Sequence, residues 1–421
     1  MAKAVTSYDY VRFTFPNIHG TSEGRVVPSR HVEHRIEIGV TVGVDALMLG
    51  EWLTTVQTNL IDQNKTCIIG IPDLSTLNAV TWDGEDKFKV AEVICEAFWL
   101  KDRTPLNVCT RYVAKQQLQR LSDHGYKMLS GFEMEFMLND ENNSPVSTIS
   151  HMSHRHHSKH SSFLFALENG MHHADVDIEN FHAEWNAGLF EAVIKASFGI
   201  KAADSAFKFR NGIHEIADKK GYRVDMTSKQ PTGEVGQHFN HSVWSVQNGD
   251  CVFSDSNHPD GLSDFGRCWL GGLMKHARAL TAFWCPTENC YTRLHLPRKP
   301  GIIDWDFDNR LSCVSVKTDT ENRGVYLENR IPSGKSNPYL TLAATVAAGL
   351  DGVLKGLGGP PHLDPKSDTL PAGTALPTSL SEALHALETD ADMVNILGKD
   401  LVDWFVLLKT QEVNKRKELS N

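Results

Sequence analysis

Residues 131–138 read Gly-Phe-Glu-Met-Glu-Phe-Met-Leu. In an extended strand successive side chains alternate faces, so Glu133 and Glu135 share one face and Phe132, Met134 and Phe136 the other. Two neighbouring carboxylates repel and need a cation or a proton between them. Further on, His182-Ala183-Glu184-Trp185-Asn186-Ala187-Gly188-Leu189-Phe190-Glu191 adds two carboxylates around a glycine bend. The segment Gly236-Gln237-His238-Phe239-Asn240-His241-Ser242-Val243-Trp244 adds an imidazole, and Tyr326-Leu327-Glu328-Asn329-Arg330 puts Tyr, Glu and Arg on one strand face. Carboxylates with one imidazole suit hard or borderline divalent cations, Mg²⁺ or Mn²⁺, rather than thiolate-seeking metals.

The surrounding sequence lays out the elements that must hold these groups. Val11, Phe13 and Phe15 alternate with polar residues, as in a half-buried strand. A turn at Asn17-Ile18-His19-Gly20 leads to a second strand, Gly24-Arg25-Val26-Val27-Pro28, so a hairpin opens a small β-rich domain. Residues 88–101 read as another strand, and Thr104-Pro105-Leu106 breaks the pattern. From about residue 109 the chain is an amphipathic helix stopped by Gly125, which puts a domain boundary near 105. Residues 139–162 are polar and carry His151, His154, His156, His157 and His160. These could bind a transition metal, but without a fixed helical or strand spacing they read first as a solvated loop. Residues 355–378 are rich in Gly and Pro and read as a long surface loop, and 379–416 as an amphipathic helical tail.

Length and charge bound the function. A chain of 421 residues is long enough for two or three domains with a large core. With 42 basic and 52 acidic residues the formal net charge is −10, a poor basis for binding nucleic acid or an anionic membrane. The eight cysteines are scattered, without CxxC or zinc-type spacing, and no apolar run reaches the ~18 residues of a membrane span. No apolar signal core precedes the first strand. A reduced, cytoplasmic protein is expected.

Taken in order, the GxExEF strand, the HxE…E segment, the H-x-N-x-S-x-W segment and the ExR…NPYL…AAGLDG block resemble the class I glutamine synthetase superfamily over nearly the whole chain. The resemblance implies an α+β fold. An N-terminal β-grasp domain would cover residues 1–105, and a catalytic domain 106–421, its antiparallel sheet forming a funnel with helices around it. It implies a homo-oligomer, a dodecamer of two stacked hexameric rings with each site between neighbouring subunits. It also implies two Mg²⁺ or Mn²⁺ sites, with ATP phosphorylating a glutamate side chain before ammonia displaces the phosphate. Carried over by motif, Glu135, Glu184 and Glu191 would hold the first ion, and Glu133, His238 and Glu328 the second. Arg293, Arg310 and Arg330 match catalytic, substrate-clamping arginines, and Asn240, Ser242, Arg310 and Lys317 fall at the nucleotide.

Departures from the family pattern concern the nucleotide and the nucleophile. Five residues after Arg310 the family has a phosphate-facing arginine; here Ser315 stands there, with Lys317 two residues on along the same strand face. Tyr326 replaces a second nucleotide arginine. Glu234-Val235-Gly236 replaces a Gly-Ser-Gly, and Leu189 replaces a glutamine. The flap after Arg293 reads Leu296-Pro297-Arg298-Lys299-Pro300, basic where the family has a glutamate that helps deprotonate ammonium. The family's ammonium-binding Asp-Gly-Ser-Ser is not recognisable, and Leu53-Thr54-Thr55-Val56-Gln57-Thr58 lies in its place. Blocks such as Ala203-Asp204-Ser205-Ala206-Phe207 and the Cys285-Pro286 pair resemble the lengsins, the eye-lens branch of the superfamily. That branch is regarded as not making glutamine, and its vertebrate members are linked to lens-fibre intermediate filaments. The sequence alone therefore favours a catalytically reduced protein with a structural role and a cytoskeletal partner. The alternative is an active ATP- and Mg²⁺/Mn²⁺-dependent glutamate–amine ligase acting through a γ-glutamyl phosphate.

Overall fold

Alternation builds the first sheet. The computed structural model describes residues 7–48, 66–85, 87–148, 151–296, 299, 301–319, 324–359 and 373–420. Strand β1 (Tyr10–Pro16) buries Val11, Phe13 and Phe15 completely. It pairs antiparallel with β2 (Ser22–Pro28), the expected hairpin, and parallel with β6 (Val90–Trp99). With β3 (Val40–Gly43), β4 (Cys67–Pro72) and β5 (Asn78–Ala79) they make a six-stranded sheet in the order β2-β1-β6-β4-β3, β5 pairing with β6.

The second sheet carries the chemistry. Its strands are β7 (Tyr126–Asn139), β8 (Ile178–Ala183), β9 (Leu189–Ile194), β10 (Ser197–Phe198) and β11 (Arg223–Asp225). After a separate small ribbon of β12 (Lys229–Gln230) and β13 (Gly233–Glu234) come β14 (Gln237–Ser245), β15 (Trp305–Phe307), β16 (Val314–Asp319) and β17 (Gly324–Asn329). The order is β15-β16-β17-β14-β7-β9-β8, with β10 and β11 also on β7. All these pairs are antiparallel except β15 with β16, and the sheet closes into a near-barrel funnel surrounded by helices.

Two of those helices approach backbone to backbone. Asp264–Trp284 and Pro338–Lys355 cross where Gly272 leaves no room for a side chain, since a Cβ there would lie 2.0 Å from the Ala348 carbonyl oxygen. The second helix starts as its sequence directs. Asn337 caps it by accepting from the Tyr339 N–H, and Pro338 occupies the first turn, where no N–H is needed. The expected helix after residue 109 runs Thr110–Asp123. The expected tail forms three helices, Leu380–Thr389, Ala391–Leu397 and Lys399–Ser420. No helix among the described residues is long and apolar enough to cross a membrane.

One expectation is corrected. The His-rich stretch is not a solvated loop but helical over His154–Lys159 and again over Ser161–His173. Packing decides the matter. The His157 ring stacks on Phe181 at 5.1 Å, and His160 is buried against Phe190 and Tyr222. Of the Gly/Pro-rich stretch, residues 360–372 lie outside the described residues.

A buried arginine ties the first sheet's layer to the helix Lys201–Lys219. Arg111 is fully buried and forks onto Asp204, at 2.9 and 2.8 Å, while its Nη2 also reaches Asp73 of the first sheet's layer at 2.8 Å. Tyr339 donates to the same Asp204 at 2.7 Å. Removing one partner of such a network strands a buried charge. Arg111→Met should therefore destabilise the fold by about 3–5 kcal/mol, measured by chemical denaturation. A loss below about 1 kcal/mol, the scale of an exposed pair, would show that the network is solvated.

Candidate functional site

Strand register assembles the acidic groups. On β7 the core face takes Phe132, Met134 and Phe136, all fully buried, so Glu133 and Glu135 face the funnel. Glu133 lies opposite His238 on β14, and Glu135 opposite Glu191 on β9. Glu328 on β17 lies opposite Asn240 of β14 and Ser315 of β16. Glu184 follows the end of β8 and closes back on β9 through its N–H to the Leu189 carbonyl, at 2.9 Å. Gly188 makes that bend possible. Its φ is +72°, and a Cβ would come within 2.8 Å of the Leu138 carbonyl oxygen. These five carboxylates line one cavity of about 500 Å³.

The acids fall into two clusters with imidazoles. In the first, His238 Nδ1 is 2.8 Å from Glu133 and 3.3 Å from Glu328, and the Asn240 amide donates to Glu133 at 2.9 Å. In the second, His182 Nε2 is 3.0 Å from Glu184 and 3.8 Å from Glu191. Burial works to raise the Glu133 pKa, but the hydrogen bond and charge of His238, with Asn240 and Arg330, hold it well below the usual range. Glu191 moves the other way. Burial first, and then the charges of Glu133, Glu135, Glu184 and Glu328, push it far up. That is the response of an acid crowded into a site built for positive charge, and the donor set fits a divalent ion in each cluster.

Cations rim the acids. Arg330 donates to Glu328, and Lys317 lies 3.5 Å from Glu328 and 2.6 Å from Asp308. Arg310 lies exposed on the cavity wall. Arg293, 2% exposed, also lines the cavity, but its guanidinium grips backbone carbonyls, with Nη1 to Ile331 and Nη2 to Arg330, both at 3.1 Å. Lys299 enters the cavity beside Glu135 and Glu234, its pKa lowered by burial and by Arg293. Arg298 and residues 53–58 lie outside the described residues.

Asn240 and Ser242 share the funnel face of β14 and line an adjoining cavity of about 360 Å³, which shares Glu133, Thr318 and Tyr326 with the first. Ser242 accepts from the Trp244 indole at 2.8 Å. Ser315 sits at the sheet's floor, fully buried, so its hydroxyl cannot reach outward as an arginine would. A third acidic group, His276 with Asp351 and Asp392, is already neutralised by Lys275 and Lys355, each 2.8 Å from Asp392.

The sequence-derived ligands converge on one cavity, and His182 lies beside them. Glu135 turns one oxygen to the Gly236 N–H, and His182 takes a place with Glu184 and Glu191. His151, read above as part of a loop, lines the cavity too, its Nδ1 3.6 Å from Glu184. The signal for His182 was its place two residues before Glu184, hence on the same strand face. For His151 the sequence carried no signal beyond the richness of the segment.

A nine-stranded funnel sheet carrying two acid–imidazole clusters is the architecture of the glutamine synthetase-type fold. The sequence profile described as "Glutamine synthetase, catalytic domain" matches residues 107–420, and the chain belongs to that family. Lengsin of Rattus norvegicus is 30% identical over 422 residues, covering 96% of this chain and 72% of its own. The glutamate–isopropylamine ligase of Pseudomonas sp is 30% identical over 375 residues, covering 83% and 79%. A solved structure described as a GmaS/ADP complex has the same fold, with a TM-score of 0.86 at 24% identity, over 99% of this chain and 96% of that one.

Crowded acids should make the protein respond to metal. Mn²⁺ at one hundred times its Kd should add about 2.7 kcal/mol by linkage and raise the melting temperature. Glu191→Gln should raise the melting temperature of the metal-free protein and shrink the Mn²⁺ response. A melting temperature indifferent to millimolar Mn²⁺ would mean the acids hold no ion.

Proposed function

We propose that the chain is a carboxylate–amine ligase of the glutamine synthetase type that uses an amine other than ammonium. The observation that carries this reading is the pair of acid–imidazole clusters facing one cation-rimmed cavity, a costly arrangement for a protein with no ion to bind. Glu133, His238 and Glu328 would hold one divalent ion, and Glu184, Glu191 and His182, with Glu135 beside them, the other. Such ions supply charge neutralisation to a phosphoryl group in transfer. The adjoining cavity at Asn240 and Ser242 is assigned to ATP, with its phosphates toward Lys317 and Arg310 of the carboxylate cavity. Arg330 clamps the acyl substrate, and Arg293 positions Arg330 by gripping its backbone.

In this reaction the terminal phosphoryl group of ATP passes to a side-chain carboxylate oxygen, leaving ADP and an acyl phosphate. The neutral amine nitrogen then attacks the acyl carbon, the C–O bond to phosphate breaks, phosphate leaves, and the nitrogen gives up a proton to solvent. Lys299 in the cavity repels any protonated amine alike, so the choice between ammonium and an alkylamine falls to the apolar lining. Trp185 and Met152, both largely exposed, line the same cavity. They offer an apolar surface that an alkylamine covers and ammonium does not. The similarity to a ligase whose name specifies isopropylamine supports the same choice.

A second reading, a lengsin-like protein with a structural role and a cytoskeletal partner, is favoured by Ser315 and Tyr326, which leave two phosphate-facing positions without arginine. Turnover separates the two. With glutamate, ATP and saturating Mn²⁺, ADP release should be at least about tenfold faster with an alkylamine than with ammonium, a difference of about 1.4 kcal/mol in barrier. No ADP release with any amine of a broad panel favours the structural reading. Robust glutamine formation from ammonium contradicts both.

Either reading takes the chain as a large cytoplasmic homo-oligomer. Twelve copies of 46.9 kDa predict about 560 kDa by light scattering; a monomer would contradict the ring assembly.

A further inference from the structure

The wall of the carboxylate cavity carries an indole that the fold holds fixed and leaves bare. His151, Met152, Trp185 and Lys299 line this cavity but not the adjoining one, so they border the side from which an amine reaches an acyl phosphate. Trp185 is 62% exposed. The His151 ring stacks on one of its faces, with centroids 4.4 Å apart and planes 7° from parallel. The Trp185 backbone N–H donates to Glu184 Oε2 at 3.1 Å. Among the described residues no other ring lies against the indole.

Met152 shares that wall, tied to the end of β8 by its N–H to the Ala183 carbonyl at 2.8 Å. A thioether packs readily against aromatic rings. A flat surface held in place takes a flat ring by offset stacking, with little side-chain freedom left to lose. Lys299 sets the second requirement. It stands 3.8 Å from Glu234 and shares that carboxylate with Lys229. Arg293, whose guanidinium is held by main-chain carbonyls, adds its charge nearby. A protonated amine is repelled there. An alkylamine with a lysine-like pKa of about 10.4 is neutral in roughly one molecule in 10³ at pH 7. An aryl nitrogen, whose lone pair is drawn into its ring, is largely neutral at that pH. It meets no such repulsion and needs no carboxylate to deprotonate it before attack.

We propose that the amine substrate is a weakly basic aromatic amine, of the aniline type, whose ring stacks on the face of Trp185 that His151 leaves open. The inference rests on the ligase reading above and deepens it by naming the substrate class. The neutral aryl nitrogen forms the C–N bond as the C–O bond to phosphate breaks. One N–H proton passes to solvent, and the products are the anilide, phosphate and ADP. Trp185 is then a specificity residue that selects by shape, and Lys299 acts against protonated competitors.

The test is ADP release near neutral pH with glutamate, ATP and saturating Mn²⁺, using aniline, benzylamine, cyclohexylamine and methylamine. Cyclohexylamine has the bulk of aniline without its flat ring or its neutral nitrogen, and benzylamine has the ring but is protonated. For the unmodified chain, kcat/KM should be at least about tenfold higher with aniline than with cyclohexylamine. Trp185→Ala should lower the ratio of aniline to methylamine kcat/KM by about tenfold, the scale of a lost stack with its buried area, chiefly through the KM for aniline. Trp185→Phe should restore most of that ratio. Lys299→Gln should raise the ratio of benzylamine to aniline kcat/KM. Equal or higher kcat/KM with cyclohexylamine, or an unmoved ratio in Trp185→Ala or Lys299→Gln, overturns the proposal and leaves the ligase reading standing. No ADP release with any of these amines overturns both. Should the variants misfold, aniline against cyclohexylamine on the unmodified chain decides.

Discussion

Mutual repulsion among Glu133, Glu135, Glu184, Glu191 and Glu328 is the constraint around which this fold is organised. The funnel sheet puts them on facing positions of neighbouring strands, Glu135 directly opposite Glu191, where water cannot fully screen them. Folding alone gives no reason to gather like charges on one face. The chain answers the repulsion in three ways. Glu191 is pushed toward its protonated form, imidazoles bridge pairs of acids, and Arg330 and Lys317 lean on Glu328 from the rim. The divalent ions proposed above would complete the neutralisation.

The rest of the molecule keeps this arrangement rigid. The core faces of β7 and β14 bury Phe132, Phe136, Phe239 and Val243, so the strands cannot slip by one residue without exposing them and inverting the site. Behind β14, the Trp269 indole donates to His241, whose pKa burial lowers to about 3, so the ring stays a neutral acceptor at physiological pH. Arg111 ties the first sheet's layer to the helix Lys201–Lys219, and Asn337 bonds the carbonyls of Asn17 and Ile18 in the opening hairpin. The acids therefore stand on strands locked from both sides, which is what a preorganised electrostatic site requires.

Local periodicity was legible in the sequence. The two faces of residues 131–138, the opening hairpin, the helix after residue 109 and the Asn-Pro start of Pro338–Lys355 follow from alternation, spacing and capping. All six candidate metal ligands and all three arginines reach one cavity. Long-range relations were not legible. His151 meets Glu184 across 33 residues, through a left-handed turn that no local pattern announces. His182 joins Glu184 and Glu191 on β8, whose pairing with β9 carries an irregularity between Ile178 and Asn180. The helix His154–Lys159 was missed because histidine has middling helix propensity, and its packing partners, such as Phe181, lie elsewhere in the chain. That Arg293 grips main-chain carbonyls is likewise a tertiary fact.

The most direct test of the central claim, that the acids are assembled to hold two divalent ions, is anomalous X-ray diffraction at the manganese edge from crystals grown with Mn²⁺. The account predicts two peaks per chain inside the funnel, one among Glu133, His238 and Glu328 and one among His182, Glu184 and Glu191. Crystals with ordered side chains at these six residues and no anomalous peak between them would contradict it.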